Sequence, residues 1–250
     1  MSLTVTKVDL NEILYLRNLF LQESNFQIRY NAVHERGWSD SYLVQLENQI
    51  IGYGSVMGRD DRTKRNTIFE FYIIPGFRKT ASAAFQQLIQ TSKAAWIECQ
   101  SNDLILSSLL YEFAQNIYAD TILFREGPTT LLFVEKIVFR KRLETDEPFD
   151  HKAEPVGDYV LEMNKEIVAT GGFLLHYNKP FADLYMEVRE DQRRKGFGSF
   201  LIQEIKRECY LSGRVPAART GMDNHASRAT LLKGGLEIAG FMLIGEIKQK

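Results

Sequence analysis

The stretch Val188-Arg-Glu-Asp-Gln-Arg-Arg-Lys-Gly-Phe-Gly-Ser199 carries the strongest local signal in this chain. It follows a strand-like segment that ends at Val188, and its two glycines open an amphipathic segment that predicts a helix over 196–209. Main-chain N–H groups at a helix N-terminus are unpaired donors near the positive end of the helix dipole. Glycine lets an anion approach them closely, and the basic triplet 193–195 adds charge. The stretch therefore predicts a strand–loop–helix unit that binds a diphosphate.

The strands before this loop belong to a pattern that occurs twice. Tyr42–Ile51 is similar to Tyr159–Val168 at an offset of 117 residues, and the same offset carries Glu70 onto Glu187. In each copy, two strands joined by a polar turn predict a hairpin, which a third strand, a loop and an amphipathic helix follow. A shared offset of this kind indicates two copies of one supersecondary unit.

The two copies differ at their edges. An amphipathic helix opened by Asp9 is predicted over 9–21, before the first copy only. Residues 140–157 are charged and contain two prolines, which is typical of a linker. We therefore expect a boundary near residue 145, with domains 1–144 and 145–250.

The loop itself is altered in the first copy. Lys79 and Ala81 stand where the second copy has its glycines, and Pro75, which has no N–H donor, replaces Gln192. We expect the first copy to bind the same ligand poorly or not at all.

The spacing Arg193-Arg194-Lys195-Gly196-Phe197-Gly198 fits an Arg/Gln-x-x-Gly-x-Gly/Ala motif. With the flanking strand and helix, and with Asn224-x-x-Ser227 followed by Gly235-Leu236, residues 159–247 resemble the GCN5-related N-acetyltransferase (GNAT) superfamily. The first copy resembles it more weakly. The resemblance implies an α/β fold of two GNAT-like units, the N-terminal one degenerate. Each unit would be a mixed, mostly antiparallel twisted sheet flanked by helices.

The resemblance also implies acetyl-CoA as co-substrate. Its pantetheine arm would enter a wedge beside the strand that ends at Val188, and a primary amine would attack the acetyl group directly in a ternary complex. The implied cofactor-binding residues are Met186, Val188, Arg193, Arg194, Lys195, Gly196, Phe197, Gly198, Ser199, Asn224 and Ser227.

A carboxylate within reach of the amine would accept its proton. Glu187 lies in an otherwise apolar strand, where an unpaired charge is costly, so it is the candidate catalytic base. The alternative is a rim carboxylate paired with Arg219 or Arg228, and Asp183 is a weaker candidate base.

Proton donation to the leaving thiolate is less clearly assigned. The family often has a tyrosine at the position of Leu231, which has no proton to give. Tyr185, His225 or water would have to replace it.

Composition narrows the class of protein. With a net charge of −1 over 250 residues, the chain has no excess of basic residues of the kind that binds nucleic acid. No apolar run is long enough to span a membrane. Two distant cysteines fit a cytoplasmic protein, and four histidines in no ligand spacing predict no metal site. The alternative function is a non-catalytic acyl-CoA-binding or interaction protein. The acceptor, a small molecule or a peptide, and the oligomeric state do not follow from the pattern.

Overall fold

The computed structural model describes residues 2–24, 26, 31–152 and 155–248. Within these ranges the contacts divide the chain into two compact units, one of residues up to 121 with 240–248, and one of residues 122–239. The C-terminal strand therefore belongs in part to the first unit. The sequence-based domain bounds, 1–144 and 145–250, stay a prediction.

The first unit is a mixed sheet with helices. Neighbouring strands pair antiparallel from β1 to β4 and between β5 and β12, whereas β4 and β5 pair parallel. Its elements are β1 (Leu3–Val8), α1 (Leu10–Glu23), α2 (Asn31–Glu35), β2 (Ser39–Leu46), β3 (Gln49–Met57), β4 (Thr67–Ile73), α3 (Ala81–Ser92), β5 (Trp96–Gln100), α4 (Leu104–Phe113) and part of β6 (Ala114–Glu126).

The second unit has the same architecture. Strands β7 to β10 pair antiparallel in chain order, and β10 pairs parallel with β11. Its elements are β7 (Val138–Lys141), β8 (Tyr159–Met163), β9 (Glu166–Leu174), β10 (Phe181–Val188), α5 (Phe197–Leu211), β11 (Val215–Gly221), α6 (His225–Lys233) and β12 (Leu236–Ile247), which runs on into the first unit. The predicted fold class, two α/β units with mostly antiparallel sheets, is confirmed.

The two hairpins have the same register at the predicted offset. Tyr42 lies opposite Gly54, and Tyr159 lies opposite Gly171. Each hairpin also has its bulge at the matching place, after Val44 in the first and after Leu161 in the second. The predicted repeat is therefore confirmed in the hairpins.

The third strands do not keep this offset. Glu70 lies opposite Ser55 in the first unit. Glu187 lies opposite Thr170, whose counterpart in the first hairpin is Tyr53. The predicted equivalence of Glu70 and Glu187 is wrong, because the third strand is shifted by two residues against the hairpin.

Helices cover the two faces of the first sheet. On one face, α1 packs Ile13, Leu16 and Phe20 against Tyr53 and Tyr72. On the other face, α3 and α4 cover an apolar core in which Leu88 lies over Gly54. The predicted helix at the N-terminus is confirmed, and the main-chain N–H of its N-cap residue Asp9 donates to the carboxylate of the first-turn residue Glu12 at 3.2 Å.

In the second unit, α5 packs on one sheet face, where Ile205 lies over Gly171. The predicted apolar face of this helix is buried, but Lys206, expected on the solvent side, is buried as well. Its ammonium donates to the carbonyl oxygens of Gly127, Pro128 and Gly235. A sequence pattern does not show that loop carbonyls cover this side of the helix.

Between β7 and β8, the described residues 142–152 and 155–157 include side chains and main chain that lie against the face of the second sheet opposite α5. The described residues of this segment include His151 and Lys152, which bond to β9 and β10 respectively. The interpretation of 140–157 as a linker is wrong, because Arg140 lies in β7 and binds both Asp146 and Glu162. No helix in the described chain is long and apolar enough to cross a membrane.

Candidate functional site

Strands β10 and β11 separate part-way along their length. Their parallel pairing begins at Phe181 and Val215 and ends at Asp183 and Ala217, although β10 continues to Val188. The antiparallel pairing of β10 with β9 continues over the whole of this length. Within the described chain, one edge of residues 184–188 is therefore left without a strand partner. Such an edge offers main-chain donors and acceptors to an extended ligand.

The loop after β10 connects Val188, the last residue of that strand, to the N-terminus of α5 at Phe197. Gly196 has a φ of 87°, a left-handed conformation that glycine adopts without strain. No atom lies within 4 Å of the point where a Cβ on Gly196 would stand. The first helical hydrogen bond runs from the N–H of Phe200 to the carbonyl of Gly196 at 3.1 Å.

The amides at this N-terminus have no internal cap. In the described residues, no side chain caps the helix, and the N–H groups of residues 196–199 bind no other part of the chain. Within the described chain these N–H groups therefore have no hydrogen-bond acceptor, and their binding to a ligand stays a prediction. An anion is the partner that these N–H groups and the helix dipole favour.

The basic triplet lies on the surface beside these amides. Arg193, Arg194 and Lys195 are exposed, and Arg194 has a left-handed φ of 63°. Lys195 Nζ donates to Gln192 Oε1 at 2.8 Å. Arg193 Nε donates to the carbonyl oxygen of Val188 at 3.2 Å, so the arginine occupies the acceptor expected to bind the pantetheine arm.

The side chains that follow in the motif serve the fold. Phe197 and Ser199 are buried. A Cβ on Gly198 would stand 3.0 Å from Thr230 and 3.4 Å from Val188, so this glycine allows α5 to approach both β10 and α6.

Asn224 and Ser227 form a helix cap. Asn224 is the N-cap of α6, and its Oδ1 accepts from the N–H of Ser227 at 3.0 Å. Helix capping accounts for this spacing, and the predicted contact of both residues with a ligand stays a prediction.

Glu187, the candidate base, borders a cleft in the second unit. Its two carboxylate oxygens lie 3.1 and 3.3 Å from the main-chain N of Lys152, which donates to them. Neither Arg219 nor Arg228 forms an ion pair with Glu187 among the residues that the structure describes. The main-chain N–H of Lys152 is the partner that Glu187 has here, and the role of Glu187 as base or as rim carboxylate stays a prediction.

The cleft has a volume of about 140 Å³ and is lined by His151, Pro155, Thr170, Leu174, Tyr185, Met186 and Glu187. His151 was not predicted as a site residue. Its Nε2 lies 2.6 Å from Thr170 Oγ1, and its ring stacks on Phe149 at 4.4 Å. Only the folding of the 142–157 segment over the sheet brings it there, and no sequence motif marks it.

The remaining proton-transfer candidates have different surroundings. Burial raises the pKa of Tyr185 to about 12, with a smaller contribution from Asp158. Asp183 is buried and lies 3.0 Å from His176 Nε2. His225 is exposed in the first turn of α6 and is not among the residues that line the cleft.

In the first unit, the predicted counterpart of the base is closed off. Glu70 is fully buried, and its carboxylate accepts from Arg17 Nε, His34 Nε2 and Tyr53 OH, each at 3.1 Å. Burial lowers the pKa of Arg17, but the attraction and the hydrogen bond of the Glu70 carboxylate, with smaller contributions from Tyr53 and Glu35, together raise it above its ordinary value. Glu70 therefore stabilises the core of the first unit and does not face a cleft among the described residues.

The loop of the first unit differs as its sequence predicts. Pro75–Thr80 forms a 3₁₀ turn in front of α3, and Arg78 pairs with Glu23. Strands β4 and β5 still separate after Ile68 and Ile97, so the repeat extends to the wedge.

Two family models match the chain. Residues 9–127 match an acetyltransferase (GNAT) domain, and residues 125–235 match the acetyltransferase (GNAT) family. The matched residues together extend over most of the chain and correspond to the two copies of the repeat. Comparison with curated proteins gives no match.

Solved structures show the same fold over the whole chain. A GNAT-family acetyltransferase from Colwellia psychrerythraea has a TM-score of 0.75 at 13% identity, covering 98% of this chain and 100% of its own. A GCN5-related N-acetyltransferase from Sphaerobacter thermophilus has a TM-score of 0.61 at 14% identity, covering 99% and 96%. A tandem GNAT protein from the clavulanic acid biosynthesis pathway has 0.60 at 11% identity, covering 100% of both chains.

Proposed function

Since the chain belongs to the GNAT acetyltransferases, as a tandem of two such domains, we propose that its second unit moves an acetyl group from acetyl-CoA to a primary amine. The amine is a small molecule or a peptide and reacts directly in a ternary complex. The first unit supports the fold and binds acetyl-CoA poorly or not at all, because its loop has Pro75 and its helix α3 begins at Ala81 without the glycines that open α5. We propose a cytoplasmic protein without a nucleic-acid or membrane partner.

The observation that carries the proposal is the set of uncapped amides at residues 196–199, next to the unpaired edge of β10. The amides and the triplet 193–195 would hold the diphosphate of acetyl-CoA. The edge at Met186 and Val188 would bind its pantetheine arm, after Arg193 has released the Val188 carbonyl. These residues fit the group in both charge and main-chain geometry.

Glu187 would act as the base. An alkylamine with a pKa of about 10.4 is almost wholly protonated at neutral pH, so it must lose a proton before it can attack. Glu187 takes that proton, directly or through a water molecule. The amine nitrogen then forms a bond to the acetyl carbonyl carbon, and the bond from this carbon to sulfur breaks. The second amine proton passes to solvent, and the thiolate leaves and takes up one proton from water.

The test measures thiol release from acetyl-CoA over a panel of amines. Glu187→Gln should lower kcat by about 10²- to 10⁴-fold, the usual contribution of a general base. Coenzyme A binding should stay at the wild-type level, because Glu187 is not in the α5 loop. Glu144→Gln, the same change at an exposed residue, should match the wild type.

Two outcomes would decide against the proposal. Wild-type protein that binds coenzyme A but transfers acetyl to none of the amines would favour the non-catalytic acyl-CoA-binding alternative. Wild-type protein that does not bind coenzyme A would exclude both functions.

A further inference from the structure

The two units differ in what covers the sheet face that carries Thr170. In the first unit the counterpart of Thr170 is Tyr53, a fully buried tyrosine under α1. Tyr72, the register counterpart of Glu187, lies beside it under the same helix. These two rings and the α1 side chains fill the space over the sheet. In the second unit the smaller Thr170, the Glu187 carboxylate and the described residues His151 and Pro155 border a cleft of about 140 Å³.

The lining of this cleft is mostly apolar. Pro155 and Leu174 contribute apolar side chains. The hydroxyl of Thr170 is already bonded to His151 at 2.6 Å. Among the described lining residues, Glu187 is the one carboxylate, and no lysine or arginine lines the cleft. The surface therefore suits an apolar group that carries a single positive charge.

We propose that this cleft binds the acceptor, a primary monoamine whose carbon skeleton is compact and apolar, of about the size of one six-membered ring. The inference rests on the proposed function and adds the class of acceptor. A cavity of about 150 Å³ with apolar walls holds a benzene ring, which sets the size. The ammonium group lies at Glu187, and the ring lies against Leu174 and Pro155. A second ammonium group on the acceptor would lose its hydration against apolar atoms without a counter-charge.

The experiment compares benzylamine and cyclohexylmethylamine with spermidine and a lysine-containing peptide, at saturating acetyl-CoA. The two ring amines should have a kcat/KM at least about tenfold higher than the other acceptors, as expected for a shaped apolar pocket. Thr170→Tyr installs the residue that the first unit has at this place, and it should abolish the preference by filling the cleft. Thr129→Tyr makes the same change at an exposed loop residue of the same unit and should keep the preference.

Thr170 is buried, so Leu174→Trp at a half-buried position provides a second way to fill the cleft. Both variants should bind coenzyme A like the wild type, and calorimetry with coenzyme A shows that the unit is folded. A preference for spermidine or the peptide, or an unchanged ring-amine preference in a folded Thr170→Tyr or Leu174→Trp variant, would overturn the acceptor class and leave acetyl transfer standing. Absence of transfer to every amine would instead overturn the proposed function, and the acceptor class with it.

Discussion

Gly196→Ala tests the diphosphate site most directly. Gly196 has a φ of 87°, and an L-residue in a left-handed conformation costs about 1–2 kcal/mol. With about 2–4 °C per kcal/mol for a protein of this size, the melting temperature should fall by roughly 2–8 °C. The new methyl group would stand in space that no atom occupies within 4 Å. That is the space through which an anion would reach the amides of residues 197–199.

The effect on binding follows from the hydrogen bonds that are lost. One hydrogen bond to a charged group contributes about 1.5–3 kcal/mol. Losing one such bond raises the dissociation constant of coenzyme A by about tenfold to 150-fold. Isothermal titration of coenzyme A into the wild type and the variant at 25 °C measures this change.

Gly213→Ala is the matched control for backbone strain. Gly213 has a φ of 73°, also with no atom within 4 Å of a Cβ position, but it lies after the C-terminus of α5. The control should lose a similar amount of stability and bind coenzyme A like the wild type. If Gly196→Ala binds coenzyme A as tightly as Gly213→Ala does, the N-terminus of α5 is not the diphosphate site.

Two further predictions concern buried groups. Glu70→Gln removes the charge that Arg17 faces in the core and should lower the free energy of unfolding by about 3–5 kcal/mol. Urea denaturation against the exposed control Glu35→Gln measures it, and equal stabilities of the two variants would contradict the buried-pair argument. Burial raises the pKa of Tyr185 to about 12 in the folded protein, above the ordinary value of about 10. The protonated Tyr185 hydroxyl therefore contributes its full share to the free energy of unfolding below pH 10, and this contribution is lost as the pH rises to 12. The free energy of unfolding should therefore fall less steeply between pH 9 and 12 in Tyr185→Phe than in the wild type. Identical slopes in the two proteins would refute the prediction.

The predicted site and the structure agree where the interaction is local. The glycine-opened helix follows from the sequence because a left-handed residue and an uncapped N-terminus depend on neighbours in the chain. The role of Glu70 could not be predicted, since a repeat offset carries no information about a two-residue shift between paired strands. The environments of Arg17 and His34 around Glu70 depend on contacts across 53 and 36 residues of chain.

The amino-acid sequence by itself determined the repeat, the hairpin register and the strand–loop–helix at residues 188–199. Each of these depends on local periodicity, turn residues and backbone freedom. Only the tertiary structure decided that His151 and Lys152 lie against the second sheet, that the Lys152 amide binds Glu187, and that a cleft of about 140 Å³ remains there. The physical reason is that a cleft depends on what packs over a sheet face. The sequence pattern indicates that the second unit has no counterpart of α1, but the space left over its sheet depends on how residues distant in the chain pack there.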